Sequence, residues 1–131
     1  MKSLNTNTLL RLLLTDIPEQ TSKIEKLLSD TSQKFFVADL VFAEIVWVLQ
    51  GKNYKYDKER IVMNLESIIG IKHIVCNKEM LEKAMLLYLS NSKISFTDSC
   101  LVSYAELNNN VPLLTFDRKL SLAVPSVVTK L

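Results

Sequence analysis

The sequence predicts an α/β fold with a central, mostly parallel β-sheet of about five strands, flanked by helices on both faces. Three observations predict it. Short β-branched or aromatic runs alternate with longer stretches whose apolar residues recur every three or four positions, the order that sets helices between parallel strands. Only two glycines and three prolines occur, so regular structure dominates and connections are short. No repeat or low-complexity segment interrupts this order. A chain of 131 residues suits one domain, 1–131, burying roughly two thirds of the surface its unfolded chain exposes.

Residues 2–4 read as the first strand and residues 8–15, with five leucines, as a helix. Pro18 suits the first turn of a second helix over 17–28, because its missing N–H costs nothing there. Residues 35–37, Phe-Phe-Val, form the second strand. Asp39 is placed to cap a helix that runs to Gly51. The helix over 57–69 carries Ile61, Met63, Leu65, Ile68 and Ile69 and ends at Gly70, and residues 73–76 are the third strand. The helix over 78–91 sets Met80, Leu81, Ala84, Leu87 and Tyr88 at core spacings. Residues 97–107 form another helix, and the asparagines at 108–110 tolerate the left-handed conformation that ends one. Residues 111–116 are a strand, a short helix starts at Asp117, and Val127-Val128 closes the set.

Composition excludes several classes of function. Apolar residues make up 48% and charged ones 23%, ordinary for a globular protein, and no apolar run reaches the ~18 residues of a membrane span. The polar start, Met1 to Asn5, does not suit a secretory signal, so a cytoplasmic location without membrane contact is expected. Cys76 and Cys100 lie far apart and belong to no C-x-x-C pair, which predicts reduced, buried thiols. His73 is the only histidine, so a His-rich zinc site is excluded and a structural role is expected for it.

A net charge of +2 does not by itself announce a nucleic-acid binder. Locally, residues 51–60 hold four basic and two acidic side chains with two interleaved tyrosines. Lys52, Tyr54 and Lys55 there suit single-stranded RNA, whose bases stack and whose phosphates pair with cations. A plain solvated connection between helices uses the same residues.

Three lone carboxylates, Glu44, Asp98 and Asp117, lie beside or inside apolar stretches, and Asn5 occupies a fourth such place. Glu44 is the only charge in residues 40–49, which implies a compensating partner, because burying a lone ion costs several kcal/mol or more. In open parallel sheets ligands collect at the carboxyl ends of the strands. Asn5 and Asp117 follow strands, and Asp98 and Glu44 fall in the first and second turns of helices that start at that edge. Carboxylates converging without His or Cys form a hard oxygen site suited to Mg²⁺ or Mn²⁺. Plainer uses stand beside this one. Asp98, three residues after Ser95, suits a capping box; Asp117 can cap the last helix; Glu44 can pair with Arg11; Asp39 and Asp16 suit a cap and a turn.

Residues 4–11, Leu-Asn-Thr-Asn-Thr-Leu-Leu-Arg, resemble the opening of PIN domains, which usually reads Asp-Thr-Asn before apolar residues and Arg. Residues 38–49, 96–102 and 114–120 resemble the family's second, third and fourth motifs, in order along the whole chain. The size and the Leu-Leu-Arg opening are most similar to VapC-type toxins of toxin-antitoxin pairs. That resemblance implies a metal-dependent endoribonuclease acting on tRNA or rRNA, usually a homodimer, held inactive by a cognate antitoxin. It carries over Glu44, Asp98 and Asp117 as catalytic metal ligands, with Asn5 at the fourth position, and Asn7, Thr115 and Arg11 as support. Asn5 departs from the family's Asp and removes one negative charge, through an introduced or a natural substitution. A non-catalytic module of the same fold that grips an antitoxin or an RNA is the alternative.

Overall fold

The computed structural model describes residues 1–131 and divides into two compact units, Met1–Asn77 and Lys78–Leu131. Seven helices and five short strands make up the chain, with one or two helices between successive strands, and every strand pairing is parallel.

In the first unit the order is β1 (Lys2–Ser3), α1 (Thr6–Leu14), α2 (Pro18–Ser29), β2 (Phe35–Phe36), α3 (Asp39–Gln50), α4 (Lys58–Ile69) and β3 (Ile74–Val75). The sheet order is β1-β2-β3, with Lys2 opposite Phe35 and Phe35 opposite Ile74. Backbone bonds carry the pairing past the strand ends, from Leu4 N to Phe36 O at 2.9 Å and from Val37 N to Val75 O at 3.0 Å. Leu4, Phe35, Val37 and Ile74 are buried while Phe36 and Val75 are partly exposed, the two-residue alternation of a strand. Leu9, Phe42, Ile45, Leu49, Ile61, Leu65 and Ile68 are fully buried. They come from α1, α3 and α4, and α3 packs on both of the others.

In the second unit the order is α5 (Lys78–Ser90), α6 (Phe96–Leu107), β4 (Leu113–Thr115), α7 (Arg118–Ala123) and β5 (Val128–Lys130). The two strands form a separate parallel pair, Leu113 opposite Val128. The five expected strands are thus present but fall into sheets of three and two. Helix α5 packs along α6, and Tyr88 meets Phe96 edge-on with ring centroids 5.6 Å apart. Ile94, Val102, Ala105, Leu120, Val127 and Val128 make the core cluster of this unit.

Several boundaries correct the sequence reading. Ala38, not Asp39, is the cap residue of α3, and Asp39 is the first helical residue. The glycines after α3 and α4 are not left-handed; α1 instead ends on Thr15 at φ 51°, and Asn109 takes φ 54° just past α6. A Cβ at Gly51 would lie 3.2 Å from the Val48 carbonyl oxygen, so glycine permits the tight exit from α3. Cys76 and Cys100 are not joined in a disulfide and are half-buried rather than buried. His73 is buried, edge-on to Phe35 at 6.1 Å, as a structural residue would be. No helix is long and apolar enough to cross a membrane.

Candidate active site

Asn5 leaves β1 and caps α1. Its extended backbone lets Oδ1 accept from the Thr8 backbone N–H at 3.0 Å and from Thr8 Oγ1 at 2.9 Å. The side chain is exposed, at the edge of a hollow of about 280 Å³ lined by Asn5, Asn7, Thr8, Arg11, Gln20 and Lys23. Asn7 and Arg11 therefore border the same space as Asn5. With Oδ1 committed to the cap, the other end of the amide is an N–H₂ donor, which a cation cannot use.

Arg11 does not pair with Glu44. Its Nη1 lies 3.1 Å from Asp16 Oδ2, a local pair across the turn between α1 and α2, while Nε is buried without a partner. Asp16 thus holds an arginine as well as shaping a turn. Glu44 is not buried either. It lies on the outer face of α3 with Leu40, 76% exposed, one turn before it and Trp47, 72% exposed, one turn after. The buried face of α3 consists of Val41, Phe42, Ile45, Val46 and Leu49. Helical periodicity, not the apolar surroundings in sequence, decides where Glu44 points.

In the second unit Ser95 caps α6, its Oγ accepting from the Asp98 backbone N–H at 3.0 Å. Only this half of a capping box is made, so the half-buried Asp98 carboxylate is not consumed by it. Asp117 caps α7, Oδ1 accepting from Leu120 N–H at 3.2 Å, and its own N–H donates to Thr115 Oγ1 at 3.0 Å. Thr115 at the end of β4 therefore fixes the backbone from which Asp117 projects. The expected cap and the expected support are both present, in the same turn.

Arg11 pairs with Asp16 and Lys83 with Glu106, and neither ion pair includes Glu44, Asp98 or Asp117. Asn5 and Glu44 belong to the first unit, Asp98 and Asp117 to the second. Within neither unit do three or more His, Cys, Asp or Glu side chains gather as a metal cluster. The carboxylates themselves, with no sulfur or imidazole beside them, are hard oxygen donors of the kind that suit a divalent cation.

Lys52, Tyr54 and Lys55 are exposed on the connection from α3 to α4. Tyr54 meets Tyr56 edge-on at 6.1 Å, and the Arg60 guanidinium sits 3.7 Å from the Tyr56 ring centroid. Trp47, which sequence reasoning passed over as one more apolar residue, borders a hollow of about 560 Å³ with Lys52, Asn53 and Tyr54. Its position three residues after Glu44 and four before Gly51 was the available signal.

The frame is α/β with parallel strands, and Asn5 and Asp117 stand at the starts of helices that follow strands. The chain belongs to the PIN domain family, which it matches over residues 3–123. PIN domains are generally nucleases, commonly metal-dependent ribonucleases, and typically use divalent metals. No curated protein matches the chain.

Proposed function

We propose that this chain is an endoribonuclease of the VapC type, the toxin of a toxin-antitoxin pair, whose parent form hydrolyses RNA phosphodiester bonds with Mg²⁺ or Mn²⁺. The carrying observation is that a chain of a nuclease family bears three carboxylates free of salt bridges, Glu44, Asp98 and Asp117. With an acid at position 5 they would hold the cation within the single domain 1–131. Bound there, the metal supplies an activated water, neutralises the phosphodiester and stabilises the leaving oxygen. No side-chain nucleophile is needed.

The chain's own residues have distinct tasks in this reading. Asp117 is held at its backbone by Thr115 and at its carboxylate by the start of α7, so one oxygen is fixed and the other is offered. Glu44 and Asp98 offer carboxylates from helix surfaces, and Asn7 and Arg11 support position 5 from the hollow they share with it. Lys52, Tyr54 and Lys55 bind the RNA. A cognate antitoxin covering the acids and a homodimer acting in the cytoplasm complete the proposal.

Position 5 decides activity. Asp there keeps the cap on one oxygen and presents the second to a cation, whereas Asn presents a donor. The test is Asn5→Asp assayed on a mixed tRNA and rRNA pool with Mg²⁺ or Mn²⁺. Cleavage and growth arrest are expected; the absence of both sinks the catalytic reading. Asn5 also favours the competing reading, a non-catalytic module gripping an antitoxin or an RNA. That reading predicts an intact phenotype for Glu44→Ala and Asp98→Ala.

A further inference from the structure

We infer that the hollow at the C-terminal end of α3 is a stacking subsite for an unpaired RNA base, with Trp47 and Tyr54 as its aromatic walls and Lys52 as its phosphate contact. The inference rests on the RNA-cleaving reading and adds a residue and a mode of substrate recognition to it. Trp47 exposes 72% of its surface, a costly arrangement for the largest apolar side chain unless something covers it. The space beside it, about 560 Å³, falls in the range of small-ligand sites, roughly 300–1,000 Å³. Among its lining residues Gln50 and Asn53 carry amide groups of the kind that pair with base edges, and Lys52 adds a cation.

The turn that carries Tyr54 is tied down by backbone hydrogen bonds. Tyr54 N–H and Lys55 N–H both donate to the Gly51 carbonyl, at 3.1 and 2.8 Å, and Tyr56 N–H returns to the Leu49 carbonyl at 2.9 Å. Tyr54 is braced edge-on by Tyr56, and Tyr56 is covered by Arg60. A pre-ordered aromatic loses little entropy on binding, which is where stacking platforms gain affinity. A second protein copy fits this surface less well, because Lys52 stands between the two aromatic residues in the chain and interface cores are depleted of lysine. Trp47 also lies one helical turn from Glu44, so a base held there is within a nucleotide or so of that carboxylate, since one turn of helix rises about 5.4 Å.

Trp47 is the only tryptophan, so its emission reports the subsite directly. The chain is titrated in EDTA with a short single-stranded RNA and with the same backbone made abasic. Base-bearing RNA is expected to quench Trp47 and the abasic strand to leave it bright. By anisotropy of end-labelled RNA, Trp47→Ala and Tyr54→Ala each weaken binding about tenfold, within the range stacking residues give. Lys52→Ala lowers the salt slope by about one. Equal affinity for the abasic strand, or unchanged affinity in both aromatic variants, overturns the inference. So does Trp47 emission that shifts with protein concentration and ignores RNA, the mark of a second copy. RNA cleavage by Asn5→Asp is scored separately: cutting with an indifferent Trp47 removes only the subsite, and quenching without cutting keeps the subsite and removes the catalytic reading.

Discussion

Replacing Asn5 by Asp leaves the α1 cap in place and changes only the free edge of the side chain. Both bonds from Thr8, at 3.0 and 2.9 Å, go to Oδ1, which a carboxylate supplies equally well, and Asn and Asp rank together as caps. Helix α1 has no acid in its first turn, so a new negative charge there gains about 0.3–1 kcal/mol from the helix dipole. For a chain of 131 residues that is a rise in melting temperature of about 1–4 °C in EDTA. If the new carboxylate joins Glu44, Asp98 and Asp117 around a cation, saturating Mg²⁺ at about 100 times Kd adds about 2.7 kcal/mol, close to 10 °C more. Thermal unfolding of both chains in EDTA and in Mg²⁺ separates the two effects, and the unsubstituted chain should gain less from the metal. A fall in EDTA refutes the cap argument; a variant that melts higher but ignores Mg²⁺ refutes the metal role of position 5.

Other substitutions divide chemistry from stability in the Asn5→Asp background. Asp117→Ala removes the α7 cap and should cost about 1 kcal/mol, whereas Asp117→Asn keeps it; both should abolish cleavage, and an active Asn variant argues against a ligand role. Thr115→Val removes the acceptor for Asp117 N–H and should lower cleavage or metal affinity about 10- to 100-fold, measured by metal titration of the rate. Glu44→Gln should change stability by less than about 0.5 kcal/mol, because the carboxylate is exposed and outside the ion pairs, yet lose cleavage. Asp30 is held below the ordinary carboxylate value of 3.8, first by the Ser32 hydroxyl and then by Gln33. Its contribution is therefore present above pH 3.8 and lost as pH falls through its lowered folded value, so Asp30→Asn should flatten the acid limb of a pH–stability curve.

Much of this was legible because caps and periodicity are local. Pro18, Asp57, Ser95 and Asp117 each announce a helix start and each stands at one, with the last three accepting from the backbone three residues on. Glu44 departs from its expected burial for a physical reason. Helix α3 carries more apolar residues than its buried face can use, so Leu40 and Trp47 stand in solvent and a charge between them needs no compensating partner. Arg11 goes to Asp16 for a related reason, since five residues of tight turn bring the pair together without tertiary help. The division of five strands into sheets of three and two was invisible. Strands of two or three residues carry too few side chains to encode a partner, and register is weakly specified when so little of a face is buried.

The candidate acids share a placement that explains how a chain can keep them without a metal. Residue 5 caps α1, Asp117 caps α7 and Asp98 is the third residue of α6, so three of the four positions lie where exposed N–H groups and the helix dipole stabilise negative charge. The folded state therefore tolerates these carboxylates apart from any function. It follows that the fold scarcely registers whether residue 5 is Asn or Asp: the same oxygen can accept the same two bonds. What changes is confined to the far edge of one side chain, where an acceptor for a cation becomes a donor. Asparagine at this position spares the fold whatever it does to chemistry, so Asn5→Asp is the smallest change that tests the role of position 5.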